Sequence, residues 1–136
     1  MLRGVAMKKF NSLIAIVYSV TAILLILFLT AAVLLMIWKY NHTFTVDKWN
    51  NEPSERYKIV SDMLFKNKII GMTENEIINF LGEETETHPQ SFKSPISVYS
   101  DENTLIYELG SKYIDYEWLI IKLDNGIVID YDFGLT

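Results

Sequence analysis

The sequence predicts an α+β protein, in which an N-terminal transmembrane helix precedes two helices packed on a three-stranded antiparallel sheet. Three observations support this fold class: a long uncharged run near the N-terminus, a capping-box pattern in the middle of the chain, and three alternating segments near the C-terminus. The expected regions are a basic tail at 1–12, the transmembrane helix at 13–38, a linker at 39–51 and an α+β domain at 52–136.

The uncharged run extends for 26 residues, from Leu13 to Trp38, and contains no glycine or proline. As a helix it is ~39 Å long, which exceeds the ~30 Å hydrocarbon thickness of a bilayer. The hydroxyls of Ser19, Thr21 and Thr30 can bond back to the helix, so they do not oppose insertion. The alternative is a cleaved signal peptide, but its apolar core is only ~7 to 15 residues long. The run therefore favours a retained anchor.

Basic residues set the expected orientation of this helix. Arg3, Lys8 and Lys9 precede the run without any acidic residue, and an excess of Lys and Arg marks the cytoplasmic side of a membrane helix. We therefore expect a single-pass protein of the cytoplasmic (inner) membrane, with its N-terminus in the cytoplasm and its C-terminal domain outside. The residues expected at the two membrane interfaces are Lys9, Trp38, Lys39 and Tyr40.

The rest of the chain is strongly acidic. Beyond Lys39 it carries 8 basic and 17 acidic side chains, a net charge of −9. Such a surface repels phosphate backbones, so the sequence argues against nucleic acid as a partner. The expected partners are the lipid bilayer and another envelope protein or peptide. The chain has no cysteine, which excludes disulfides and thiolate metal sites.

Two helices are expected in the first half of the acidic region. Pro53 suits the first turn of a helix that extends to Lys66, and its apolar positions recur at helical spacing. Thr73 and Glu76 have the spacing of a capping box at the start of a second, short helix, and Gly82 suits its end.

Three strands are expected in the second half, after a polar loop from 83 to 100. They cover Leu105–Leu109, Tyr116–Leu123 and Ile127–Phe133, where apolar residues alternate with others. Asn125-Gly126 lies between the last two strands, and this dipeptide is among the strongest short hairpin signals. The segment from Gly110 to Asp115 is expected to be rich in turns.

Several segments of this region resemble the SmpA/BamE-like domain. They are Arg56 to Leu64, Ile69 to Thr73, Ile77 to Gly82, Tyr107 to Gly110 and the hairpin at Asp124-Asn125-Gly126. The resemblance implies two helices before a three-stranded antiparallel sheet, and a non-catalytic binding module of bacterial envelopes. Members include an accessory lipoprotein of outer-membrane protein assembly, and a related fold occurs in a secreted β-lactamase inhibitor. The present chain has a membrane helix in place of the lipid-bearing cysteine.

No catalytic residue, cofactor site or metal site is predicted. His42 and His88 lack the partners of a catalytic set, and no phosphate-binding loop or metal-ligand spacing is present. The alternative of an envelope hydrolase would use loop carboxylates such as Glu83, Glu86 and Asp101. A second alternative is a regulatory subunit that acts through its membrane helix on a multi-pass complex.

Aromatic residues are the expected contact residues of a binding module. They are concentrated in the strand region, and such side chains are enriched at protein interfaces. Most are expected to pack in the core. The exposed contact residues are predicted to be Tyr113, Tyr116 and Tyr99.

Overall fold

The computed structural model describes residues 2–85 and 103–136. These residues confirm the α+β class. The chain divides into two compact units, residues 1–40 and 41–136. The helices are α1 (Leu2–His42), α2 (Val46–Asn51), α3 (Arg56–Lys66) and α4 (Glu74–Leu81), with a 3-10 helix at Pro53–Glu55, and the strands are β1 (Thr104–Lys112), β2 (Asp115–Asp124) and β3 (Ile127–Leu135).

Helix α1 carries the long apolar run. Its segment Lys9–His42 is long and apolar enough to cross a membrane, which is compatible with a single-pass membrane protein. The hydroxyls of Ser19, Thr21 and Thr30 donate to backbone carbonyls three or four residues earlier, at 2.8 to 2.9 Å. The helix therefore satisfies these polar groups internally, as the sequence predicts.

Helix α2 lies where a linker was expected. The Thr45 side chain caps it by accepting the Lys48 N–H at 3.2 Å. Trp49 is fully buried, and its indole N–H donates to the Leu81 carbonyl at 2.9 Å. The last part of the expected linker 39–51 is therefore an integral part of the domain, because Trp49 enters the core and Phe44 packs against it.

The next two helices begin and end close to the expected positions. The Pro53 turn is a 3-10 helix that leads into α3, which buries Ile59, Val60 and Met63. The capping box of α4 is confirmed: the Thr73 hydroxyl accepts the Glu76 N–H at 3.3 Å, and the Glu76 carboxylate accepts the Thr73 N–H at 2.7 Å.

The sheet is an antiparallel meander in the order β1-β2-β3. Asn125 and Gly126 have φ of 50° and 73°, which confirms the expected hairpin because both central residues of a type I′ turn need positive φ. The prediction for Gly110 to Asp115 was wrong in part: β1 continues to Lys112, and Gly110 takes part in a β-bulge. Gly110 has φ of 99°, and a Cβ at this position would clash with the Ser54 carbonyl of the 3-10 helix.

Both faces of the sheet contain buried side chains. On the face toward α2, α3 and α4, the core combines residues from the helices and the strands: Trp49, Ile59, Val60, Met63, Ile69, Ile77, Leu81, Leu105, Tyr107, Leu109, Leu119, Ile121, Leu123 and Val128. On the opposite face, Ile106 and Ile120 are paired across β1 and β2 and are fully buried, and Trp118 is 7% exposed. The expected packing of helices on the sheet accounts only for the first group.

Candidate interaction surface

The β1–β2 hairpin ends in two exposed apolar residues. Lys112 and Asp115 are the last pair of the ladder, so Tyr113 and Ile114 form a two-residue turn between the strands. Both side chains are 92% exposed. An aromatic and an aliphatic side chain at the end of a hairpin are unusual, because glycine, asparagine and aspartate are the usual residues of such turns. We call Tyr113 and Ile114 the hairpin tip.

The backbone of the hairpin tip is strained. Tyr113 has φ of 70°, whereas Ile114 is not among the residues with positive φ. This φ pattern is that of a type II′ turn, in which the first central position is usually glycine. A tyrosine in this region crowds its Cβ against the following carbonyl, at a cost of ~1 to 2 kcal/mol. Strain combined with an exposed apolar pair makes the hairpin tip the candidate functional site.

A shallow groove of about 360 Å³ adjoins the hairpin tip and is lined by Tyr113, Ile114, Asp115, Glu117 and Leu135. Because β2 alternates regularly here, Asp115 and Glu117 lie on the same face of the sheet. Leu135 pairs with Glu117 across β2 and β3. The groove thus combines apolar surface with two carboxylates.

Two of the three predicted contact residues are on the surface of the domain. Tyr113 and Tyr116 are exposed, at 92% and 49%. Tyr113 lines the groove, whereas Tyr116 lies on the opposite face of β2, so the two side chains do not share one surface. Tyr99 lies outside the described residues.

Sequence reasoning missed Ile114 and Leu135. Ile114 could have been predicted from the sequence, since it is an apolar residue in a hairpin turn next to an acid. Leu135 could not, because its position beside Glu117 depends on the register of β3.

The outer edge of β1 is occupied by groups from other parts of the domain. The Ile106 N–H donates to the Glu84 carboxylate at 3.0 Å, and the Ile106 carbonyl accepts the Thr85 N–H at 2.8 Å. The Glu108 N–H donates to the Thr85 hydroxyl at 2.9 Å, and its carbonyl accepts from the Arg56 guanidinium at 3.2 Å. These bonds occupy the outer edge of β1 at Ile106 and Glu108.

The outer edge of β3 is also protected. At its start, the Val128 N–H donates to the Met72 carbonyl and the Val128 carbonyl accepts the Gly71 N–H, both at 2.8 Å. Farther along, the N–H groups of Tyr131 and Phe133 donate to the preceding aspartate side chains, Asp130 at 2.9 Å and Asp132 at 2.8 Å. Charged side chains on an edge strand oppose pairing with another chain. The backbone groups of β3 at Val128, Tyr131 and Phe133 are therefore engaged within the domain.

The acidic segment after α4 is partly structural. Glu83 is exposed, whereas Glu84 is half-buried and its carboxylate accepts the N–H of Ile106 in β1. Glu86 and Asp101 lie outside the described residues. Within residues 2–85 and 103–136, no group of three or more His, Cys, Asp or Glu side chains is placed to hold a metal ion.

Other exposed apolar side chains lack the strain of the hairpin tip. Phe65 is 88% exposed at the end of α3, and Ile70, Ile127 and Ile129 are 44 to 57% exposed near the β2–β3 hairpin. Exposed apolar residues of this kind are normal on protein surfaces. Trp38 and Tyr40, two of the expected interface residues, are exposed on α1 together with Lys9 and Lys39.

No family model, curated protein or solved structure matches this chain. Its fold and surface define it as an α+β domain that follows a long apolar helix and presents an exposed apolar hairpin tip.

Proposed function

We propose that this protein is a single-pass bacterial envelope protein whose α+β domain lies outside the cytoplasm and binds another envelope protein or peptide. The role is that of a non-catalytic module, in keeping with the resemblance to the SmpA/BamE-like domain. The observation that carries the binding role is the hairpin tip. Tyr113 and Ile114 are 92% exposed on a turn whose backbone would be more stable with glycine.

The membrane location is supported by α1. Its apolar side chains are exposed along the helix, and no other element of the described chain is long and apolar enough to span a bilayer. The orientation is supported by charge, because basic residues precede the span and the domain beyond it is acidic. The domain then meets its partner in the compartment outside the cytoplasmic membrane.

The occupied positions on both sheet edges support the hairpin tip as the contact surface. Many binding modules take a peptide as an extra strand, which needs a free edge. Here the exposed N–H groups of Tyr131 and Phe133 are engaged by Asp130 and Asp132. A partner that approaches the end of the sheet meets the apolar side chains of the hairpin tip first.

Photo-crosslinking in intact membranes tests this proposal. A photoreactive amino acid replaces Ile114 in the full chain, and a matched chain carries it at Glu74, an exposed position at the start of α4. We expect a discrete crosslinked protein from position 114 that is absent from position 74. The product should also disappear when Tyr113→Gly is added. Equal products from both positions, or no product from position 114, would contradict the binding role of the hairpin tip.

A further inference from the structure

We infer that the groove beside the hairpin tip recognises a partner segment in which an arginine is flanked by aliphatic side chains. This inference rests on the proposed function and adds the chemistry of the partner. It follows from the composition of the groove and from the charge of the domain.

Two acidic residues of the groove are suitably spaced to bind an arginine. Asp115 and Glu117 are two residues apart on β2, so their Cα atoms are ~6.6 Å apart on one face of the sheet. Both residues line the groove. A single guanidinium offers five N–H donors in a planar fork and can engage carboxylates at this spacing.

The apolar residues of the groove favour aliphatic side chains on either side of the arginine. Ile114 and Leu135 line the groove with the two acids, and Ile114 is 92% exposed. Aliphatic neighbours of the arginine can cover these side chains and remove apolar surface from water. Tyr113 also lines the groove, and an arginine guanidinium stacks favourably on a tyrosine ring.

The charge of the domain disfavours the main competing occupants. The region beyond Lys39 has a net charge of −9, which repels nucleic acid and anionic lipid. A second copy of the domain carries the same charge and is repelled as well. The same field attracts a cationic segment and accelerates its association.

Defined peptides test the inference. The full chain is placed in nanodiscs of zwitterionic lipid and immobilised for surface plasmon resonance, with empty nanodiscs in the reference channel. The probe is the peptide Gly-Ser-Leu-Arg-Leu-Ser-Gly. Two matched peptides replace its central Leu-Arg-Leu with Leu-Glu-Leu or Ser-Arg-Ser.

The expected result is about tenfold tighter binding of the Leu-Arg-Leu peptide than of either matched peptide. Asp115→Asn with Glu117→Gln should weaken that binding about tenfold, and Ile114→Ser should weaken it severalfold. The control pair Glu74→Gln with Glu83→Gln removes the same charge from exposed positions at the two ends of α4, and it should leave the affinity within twofold.

Three results would overturn the inference: equal binding of the Leu-Arg-Leu and Leu-Glu-Leu peptides, undiminished binding to the double groove variant, or no binding above the empty nanodiscs. The crosslinking experiment separates this failure from failure of the proposed function. A specific product from position 114 without peptide discrimination leaves the binding role standing and removes only the arginine preference. If neither the crosslinked product nor the peptide discrimination is observed, both the binding role and the arginine preference are contradicted.

Discussion

The indole N–H of Trp49 donates to the carbonyl oxygen of Leu81 across 32 residues of chain, at 2.9 Å. This bond joins α2 to the end of α4 inside the core. The Arg56 guanidinium lies 4.7 Å from the centre of the same indole ring and donates to the Trp49 carbonyl at 2.8 Å. Trp49 therefore links three helical segments, although it belongs to a helix of only six residues.

Replacing Trp49 should destabilise the domain strongly. Trp49→Ala removes a fully buried indole, and we expect the free energy of unfolding to fall by ~3 to 5 kcal/mol. Trp49→Phe keeps one six-membered ring but leaves the Leu81 carbonyl without its donor, so a loss of ~1 to 3 kcal/mol is expected from the unpaired carbonyl alone. Pulse proteolysis of the full chain across a urea series measures both. Equal stability of the two variants would contradict this account, which expects the larger loss from Trp49→Ala.

Gly110 and Gly126 form a matched pair of glycines with positive φ. Gly110→Ala should destabilise more than Gly126→Ala, because a Cβ at 110 clashes with the Ser54 backbone whereas nothing lies within 4 Å of a Cβ at 126. The conformational cost alone is ~1 to 2 kcal/mol for either residue. The clash adds to that cost only at Gly110. Urea unfolding of the two variants checks the order, and an equal loss would contradict the close approach.

The capping box predicts a pH dependence of stability. The Thr73 backbone N–H and its hydroxyl hold the pKa of the Glu76 carboxyl below its usual value. The folded pKa is therefore lower than the unfolded one near 4.5, so this stabilisation is present above pH ~4.5 and is lost as pH falls through the folded pKa. Glu76→Gln, which can still cap, should lose less stability than the native chain between pH 5 and pH 3. Parallel curves for the two proteins would contradict this assignment.

The aspartates of β3 should keep the domain monomeric. Replacing Asp130 and Asp132 together with alanine frees the N–H groups of Tyr131 and Phe133 on an edge strand, and we expect association between copies. Analytical ultracentrifugation in detergent measures it. Glu74→Ala with Glu83→Ala changes the net charge equally and serves as the control. Association of the control to the same extent would assign the effect to charge instead of the edge.

Tyr113→Gly should separate stability from recognition. Glycine adopts a φ of 70° without strain, so the free energy of unfolding should rise by up to ~1 kcal/mol after the entropy cost of glycine. The same change removes an exposed ring and should abolish the crosslinked product of position 114. Asn125→Gly is the control, because asparagine already tolerates its φ of 50°. A drop in stability on Tyr113→Gly would contradict the account of strain.

The sequence allowed the strongly patterned elements to be predicted. The uncharged run predicted α1, and the pair Thr73 and Glu76 predicted the start of α4, because each pattern depends only on neighbouring residues. Asn125-Gly126 gave the second hairpin for the same reason. Helix α2 could not be predicted in this way, since six residues around one buried tryptophan show no periodicity.

The candidate site was predicted only in part. The exposure of Tyr113 and Tyr116 was confirmed, but their separation onto different surfaces follows from strand register. Gly110 was expected in a turn, and it is needed instead for the approach of Ser54, which is 56 positions earlier in the chain. The role of Glu84 on β1 likewise depends on a contact with Ile106 that no local pattern encodes.

Cysteine labelling in cells tests the membrane-anchored arrangement most directly, because the native chain has no cysteine. Single cysteines are placed at Glu83, exposed in the domain, and at Met7, which precedes the apolar run and is 68% exposed. A maleimide that cannot cross the cytoplasmic membrane should label Glu83→Cys in spheroplasts and label Met7→Cys only after lysis, both in a full-length chain that stays in the membrane pellet. Labelling of Met7→Cys before lysis, or recovery of a soluble labelled domain that begins after Tyr40, would contradict the account.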